Sequence, residues 1–118
     1  MILALASIVP AVLYALSQAS LQRDGVMADP HVELHHFSGM AASALGIMLV
    51  SFVAACRAKG RRFVAWSVGV AAAVWGVLSV AYPNFEGALS TPWNWIVLAW
   101  GVLFVVLSEV EARKAPAG

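Results

Sequence analysis

The chain alternates between long apolar stretches and short charged segments. Four stretches contain no Asp, Glu, Lys or Arg, and each is 22 or 23 residues long: 1–22, 34–56, 63–85 and 87–108. About 20 apolar residues at ~1.5 Å per residue cross the ~30 Å hydrocarbon core of a bilayer. The pattern therefore predicts an all-α integral membrane protein that crosses the membrane four times.

Capping residues between the stretches set the expected helix ends. Asp29-Pro30 and Thr91-Pro92 each place an N-cap residue before a proline at the first helical position, and Pro83 ends the third helix. We expect a single domain over 1–118. Its helices are expected at about 1–22, 29–56, 63–82 and 91–110, and its tail is expected to be disordered at 115–118.

The first stretch has two interpretations. Ser17-Gln18-Ala19 has the small residues of a signal-peptide cleavage site, but no Lys or Arg precedes the apolar run, as a secretory signal requires. We therefore interpret the stretch as a retained helix. Pro10 is expected to kink it, since proline cannot donate a backbone hydrogen bond.

Composition agrees with the pattern. Hydrophobic residues make up 62% of the chain and charged residues 11%, whereas a soluble domain is roughly half apolar and about a quarter charged. This excludes a soluble globule. The net charge of +1 gives no basic surface of the kind that binds nucleic acid, so no nucleic-acid partner is expected.

The Lys and Arg residues predict the orientation. The link 57–62 carries four of the seven, and Arg113 and Lys114 carry two more. By the positive-inside rule, this link and both termini are cytoplasmic in an antiparallel four-helix bundle, and the other two loops face outward. The Ala-rich, Lys-poor composition suggests a bacterial inner membrane.

Small residues recur at helical spacing on two of the helices. The third helix carries Ala65, Gly69, Ala72, Gly76 and Ser79, and the second carries Gly39, Ala42 and Gly46. Such stripes let backbones approach closely in lipid, and the link between the two helices is short. We therefore expect these helices to form a tight hairpin, whereas the fourth helix, with Trp93, Trp95, Trp100 and Phe104, is expected to face lipid.

The four apolar stretches contain few side chains that could take part in catalysis or ion transport. Cys56 is the single cysteine, so a disulfide or redox pair within the chain is excluded. In length and helix count the chain resembles the small four-helix drug exporters, but their buried carboxylate has no counterpart here, and the resemblance covers architecture only. The polar residues of the spans are interpreted as helix-to-helix hydrogen bonders: Ser7, Ser17, Gln18, Ser43, Ser51, Ser67 and Ser79.

All three histidines lie at the outward start of the second helix, in the segment HVELHH over 31–36. On a continuous helix His31 and His35 share one face, and Glu33 and His36 share another. Histidines four residues apart can hold a metal ion, with the carboxylate completing the site. His35 also lies one turn before a glycine, which leaves room for a haem or chlorophyll-type pigment held axially by His35.

The spacing H-x3-H-H resembles one histidine box of the membrane di-iron desaturases and hydroxylases. Those enzymes combine several boxes, whereas this chain has one box on the predicted outer face, so their activity is not inferred. Three hypotheses follow: a solvated interfacial cluster, a transition-metal site formed by His31, Glu33, His35 and His36, or a tetrapyrrole ligated by His35. A metal would need a further donor from Asp29, Glu86 or a second protomer.

The sequence leaves three functions open. The first is a non-catalytic accessory or assembly subunit that packs against a larger membrane complex, favoured by the small-residue stripes. The second is an outward-facing metal-binding or tetrapyrrole-binding protein. The third is an oligomeric transporter of small solutes or lipids. The expected partners are membrane lipids and either further copies of the chain or a larger complex.

Overall fold

The computed structural model describes residues 1–25, 29–56, 60–85 and 87–114. Within these ranges the regular structure is helical. The helices are α1 (Ile2–Ala6), α2 (Ile8–Asp24), α3 (Pro30–Glu33), α4 (His36–Ala55), α5 (Arg61–Ala81) and α6 (Trp93–Lys114). Four segments are long and apolar enough to cross a membrane: the α1–α2 segment, α4, α5 and α6. The all-helical fold with four such segments is confirmed, and it is compatible with a multi-pass membrane protein.

The first apolar segment is interrupted at Ser7, between α1 and α2. Pro10 has no N–H to donate to the carbonyl of Ala6. The Ser7 hydroxyl donates to the Ala4 carbonyl at 2.7 Å and lies 3.5 Å from the Ser51 hydroxyl of α4. The interruption therefore lies one turn before the proline and contacts a neighbouring helix.

The expectation of one continuous helix over 29–56 is wrong. Asp29 caps a short helix as expected, but α3 ends at Glu33, and His35 takes the left-handed conformation with φ of 54° before α4 begins. At the break the Val32 carbonyl accepts a turn hydrogen bond from the His35 N–H, at 3.1 Å, in place of the α-helical one, and the Ser38 N–H has no helical partner. Gln22 bonds both: its Nε2 donates to the Val32 carbonyl at 2.7 Å, and its Oε1 accepts from the Ser38 N–H at 3.3 Å.

The small-residue stripe of the third span is buried, but its partner is not the one expected. All five of its residues are buried on α5. They pack mainly against α6, where Gly101 lies against Gly69 and Leu98 lies against Gly76. The second and third spans, α4 and α5, do contact each other, but the expected close packing along the two small-residue stripes is wrong, since α4 packs more extensively with α2 than with α5.

The fourth span also differs from expectation, because part of its aromatic surface faces inward. Trp93 and Trp95 are exposed, as expected of a lipid-facing helix. Phe104 is only 8% exposed, and its ring centroid lies 4.9 Å from that of Trp100. The Trp100 indole N–H donates to the Leu3 carbonyl at 2.9 Å, so α6 contacts the start of the chain as well as α5.

One polar cluster joins the start of α5 to the end of α6. The Arg62 guanidinium donates two hydrogen bonds to the Glu109 carboxylate, at 2.6 and 2.7 Å, and the Trp66 indole N–H donates to the same carboxylate at 2.7 Å. A bidentate pair of this kind fixes relative orientation as well as adding energy. It fixes which ends of the two helices meet.

Candidate functional site

The histidine segment forms a small aromatic cluster. The break at His35 turns that side chain out to an exposed position, and Glu33 is exposed as well. His31 instead meets His36, with ring centroids 5.4 Å apart in an edge-to-face arrangement. His36 also lies edge-to-face with Phe85, at 6.1 Å. The pairing of His31 with His35 on one helical face is therefore replaced by a pairing of His31 with His36.

Asp29 holds the start of this segment. Its Oδ1 accepts from the His31 backbone N–H at 2.9 Å and lies 3.1 Å from the His31 ring Nδ1. The backbone hydrogen bond, followed by the one from the ring, holds the pKa of the Asp29 carboxyl below its ordinary value of 3.8. The carboxylate is therefore the charged cap of α3.

This cap gives a pH dependence with a definite sign. Because the pKa of Asp29 is lowered by folding, the contribution of the charged cap is present above pH ~4 and is lost as the pH falls through the lowered pKa. We expect the His31 amide proton shift to titrate with a midpoint below 3.8 in NMR spectra. Asp29→Asn should abolish this titration yet keep α3, since asparagine also caps helices. A midpoint at 3.8 or above, or an unchanged titration in the variant, would contradict this assignment.

The positions of these side chains do not form a metal site. Among the residues that the structure describes, no three His, Cys, Asp or Glu side chains are grouped so that they could hold a metal ion. His31 and His36 are together, whereas Glu33 and His35 are exposed. Glu86, a suggested further donor, lies outside the described residues. The metal site and the tetrapyrrole on His35 both stay predictions.

A partly open cavity of about 480 Å³ lies between the helices, away from the histidines. Its walls come from the α1–α2 segment on one side and α6 on the other, with residues of α4, α5 and 88–90 completing them. Three indole rings line it, those of Trp75, Trp93 and Trp100. The volume is within the range of roughly 300–1,000 Å³ typical of small-molecule sites.

Most polar side chains of the cavity wall are already hydrogen-bonded. The hydroxyls of Ser7 and Ser17 donate to carbonyls of their own helices at 2.7 Å. The Tyr14 hydroxyl donates to the Gly87 carbonyl, also at 2.7 Å. Two buried atoms differ, because Gln18 Oε1 and Trp75 Nε1 have no hydrogen-bond partner among the described residues.

Sequence reasoning missed this cavity. The sequence predicts an ordinary helix-to-helix hydrogen bonder at Gln18 and gives Trp75 no distinctive signal. The one available signal was a glutamine inside an apolar span, one turn after a tyrosine, since polar residues within spans are costly. The ring of Tyr14 meets that of Trp75 at a centroid distance of 5.0 Å, a contact that brings two separate helices together.

The second feature of interest is an exposed surface along one side of α4. Gly39, Ala42 and Ser43 are exposed, and Gly46 is half-buried. Apart from the adjoining backbone of α4 itself, no atom of the described residues lies within 4 Å of the position that a Cβ would take at Gly39 or Gly46. We call these four residues the α4 face.

Comparison with known protein families, with curated proteins and with solved structures found no match. Function is therefore inferred from what the fold itself presents, above all the α4 face.

Proposed function

We propose that this protein is a non-catalytic assembly subunit of a membrane complex and that a second copy of the chain docks on its α4 face. The observation that carries the proposal is the open space at Gly39 and Gly46. A helical glycine is less favourable than alanine by about 1 kcal/mol. Glycine in a span is useful where another backbone comes close, and nothing in the described part of this chain comes close to these two.

The other glycines of the long helices show what such positions normally do. A Cβ at Gly69, Gly76 or Gly101 would come within 2.8 Å of backbone of the facing helix. These three glycines therefore allow α5 and α6 to approach within the chain. By the same logic, Gly39 and Gly46 allow the approach of a helix that belongs to another molecule.

The spacing of the α4 face favours a second copy as that molecule. Gly39 and Ser43 are four residues apart, and so are Ala42 and Gly46. Two small residues at this spacing form the shallow groove through which identical membrane helices cross. In a two-fold dimer both subunits use the same surface. A flat face of small residues can pack against an identical copy of itself. The Ser43 hydroxyl already donates to the Gly39 carbonyl at 2.8 Å, and the face needs no polar partner.

We further propose that the four spans run antiparallel in a bacterial inner membrane, with both termini and the link 57–62 cytoplasmic. The Lys and Arg residues of the link and of the chain end support this orientation. The ion pair of Arg62 with Glu109 joins the start of α5 to the end of α6, as an antiparallel pair requires. Membrane lipids are the other partners in this arrangement.

The test compares two identical substitutions on exposed helical alanines. Ala42→Leu places a bulky side chain on the α4 face, whereas Ala71→Leu places one on an exposed position of α5. We expect Ala42→Leu to weaken self-association by about tenfold, equivalent to ~1.4 kcal/mol, because leucine holds the two backbones apart. Ala71→Leu should leave it unchanged. The measurement is energy transfer between labelled copies in liposomes at increasing dilution.

Each other outcome counts against the proposal. A protein that stays monomeric at all lipid dilutions would refute docking of a second copy. Equal losses in both variants would place the contact elsewhere. A different chain that co-purifies in fixed ratio and is lost in Ala42→Leu would refute the second copy as the occupant and would assign the α4 face to a larger complex.

A further inference from the structure

We propose that the cavity between the α1–α2 segment and α6 holds one hydrocarbon chain of a membrane lipid, whose headgroup stays outside. This inference does not depend on the α4 face, because Ala44 and Met48 line the cavity from a different side of α4. The lipid site and the assembly role can therefore be tested separately.

The cavity opens between two of the apolar spans. The α1–α2 segment packs mainly on α4, and α6 packs mainly on α5, so the first and last spans do not close on each other. Leu13 on one wall and Ile96 on the other are 58% and 46% exposed. In a bundle that crosses a membrane, an opening between such side chains leads into the hydrocarbon core of the bilayer. The molecules that reach it are therefore the lipids of the bilayer.

Two hydrogen bonds hold the walls of the cavity together. The Trp100 indole N–H donates to the Leu3 carbonyl at 2.9 Å, and the Tyr14 hydroxyl donates to the Gly87 carbonyl at 2.7 Å. Both donor side chains line the cavity, and each bond joins the α1–α2 segment to a distant part of the chain. We therefore expect the space to persist without a ligand, as it does in preformed small-molecule sites.

The walls favour a hydrocarbon over a polar ligand. The described residues that line the cavity include no charged side chain, and most of them are alanine, aliphatic or indole residues. The hydroxyls of Ser7, Ser17 and Tyr14 already donate to carbonyls. A polar group placed inside would lose its own hydrogen bonds, and an apolar cavity does not retain water well. A hydrocarbon chain instead gains dispersion contacts with every wall.

The dimensions distinguish a single chain from a helix of another molecule. The lining on the α1–α2 segment runs from Ala6 to Gln18, which is ~18 Å along a helix. A helix about 10 Å across needs on the order of 1,400 Å³ over that length, whereas the cavity offers about 480 Å³. A single hydrocarbon chain about 5 Å across, as carbon contact distances require, needs on the order of 350 Å³. The cavity therefore fits one chain.

The experiment uses palmitoyl lysophosphatidylcholine with a photoreactive diazirine on its chain. It is titrated into the full protein in digitonin, a detergent that has no alkyl chain of its own, and the intact mass after illumination counts the adducts per protein. We expect one saturable adduct, which peptide mapping places on α2 or α6. Unlabelled dipalmitoyl phosphatidylcholine and dipalmitoyl phosphatidylglycerol should compete equally, because the headgroup lies outside an uncharged cavity.

Two cavity-filling variants locate the site. Ala11→Phe fills the cavity from α2 and Val97→Phe fills it from α6, so each should abolish the saturable adduct. Their matched controls, Ala71→Phe and Val77→Phe, place the same ring on exposed positions of α5 and should be labelled as the original chain is. Circular dichroism during SDS titration shows that each variant is folded.

Several results would overturn the proposal. An adduct that never saturates, or that maps to the exposed sides of α4 and α5, would mean ordinary contact with surrounding lipid. Competition by cholesteryl hemisuccinate as strong as that by dipalmitoyl phosphatidylcholine would refute a flexible chain as the occupant, and unequal competition by the two phospholipids would refute a headgroup that stays outside. Unchanged labelling of both cavity-filling variants would place the chain elsewhere. None of these results depends on self-association, so they are distinct from failure of the proposed assembly role.

Discussion

Gly101→Ala is expected to lower the free energy of unfolding by about 3 kcal/mol, at the upper end of what overpacking a core costs. The new Cβ would lie 2.5 Å from the Gly69 carbonyl oxygen and 2.6 Å from the Ala73 nitrogen. Both are backbone atoms, so no side-chain rotation relieves the contact. α5 and α6 must move apart along the most extensive helix contact in the described fold.

The matched control is the same substitution on the α4 face. Gly46→Ala adds its methyl group to open space and should raise stability by up to about 1 kcal/mol, since alanine is the better helix former. Both variants are measured by SDS titration in mixed micelles with circular dichroism, at a dilution where the chain is monomeric. Equal effects in the two variants would mean that glycine content, not close approach of α5 and α6, determines stability.

The two contacting glycines are also expected to be coupled. Gly69 and Gly101 face each other, and a Cβ at either one meets the backbone of the other helix. Once one alanine has separated the helices, the second adds less, because residues that share a contact are not additive. A double variant that loses less stability than the sum of the two single variants indicates that Gly69 and Gly101 share one contact. Additive losses would indicate two independent packing defects.

The spans and the buried stripe could be predicted from the sequence, but the partner of the stripe could not. Charge-free stretches report which segments are apolar enough to cross a membrane, and the spacing of Ala65 to Ser79 reports one face of one helix. Neither reports the neighbour. A short link suggested the second span, whereas the observed partner presents a single glycine, Gly101, among bulky residues.

The histidine segment shows how a distant residue overrides a local pattern. No glycine or proline marks a break at His35, and histidine, although enriched at positive φ, does not require it. The break is stabilised by Gln22, which lies on another helix and bonds one backbone group on each side of the break. Sequence periodicity describes each helix separately, so it predicted the wrong pairing of imidazoles.

The cavity could not be predicted for a related reason. It depends on a gap that forms because the α1–α2 segment packs mainly on α4 while α6 packs mainly on α5. Its lining residues, Gln18 and Trp75 among them, are far apart in the sequence and on different helices. Only the three-dimensional arrangement brings them to the wall of one cavity.

Phe104→Ala is expected to be about as destabilising as Gly101→Ala, at about 3 kcal/mol. The ring belongs to a buried cluster with Ala54, Ala65 and Val68, and therefore joins α4, α5 and α6. Lipid is as apolar as this cluster, so the loss comes from packing and from the space left behind, not from transfer to water. That places the value at the low end for buried phenylalanine.

The matched control is Phe63→Ala on α5, where the ring is 78% exposed. It should change the free energy of unfolding by less than about 0.5 kcal/mol, as surface substitutions usually do. Both variants are measured by SDS titration followed by circular dichroism. Tryptophan fluorescence is not used, because the loss of the Phe104 ring would itself change the fluorescence of Trp100. A large loss in Phe63→Ala and a small one in Phe104→Ala would mean that stability depends on contacts with lipid or with another chain, and that the meeting point of α4, α5 and α6 contributes little.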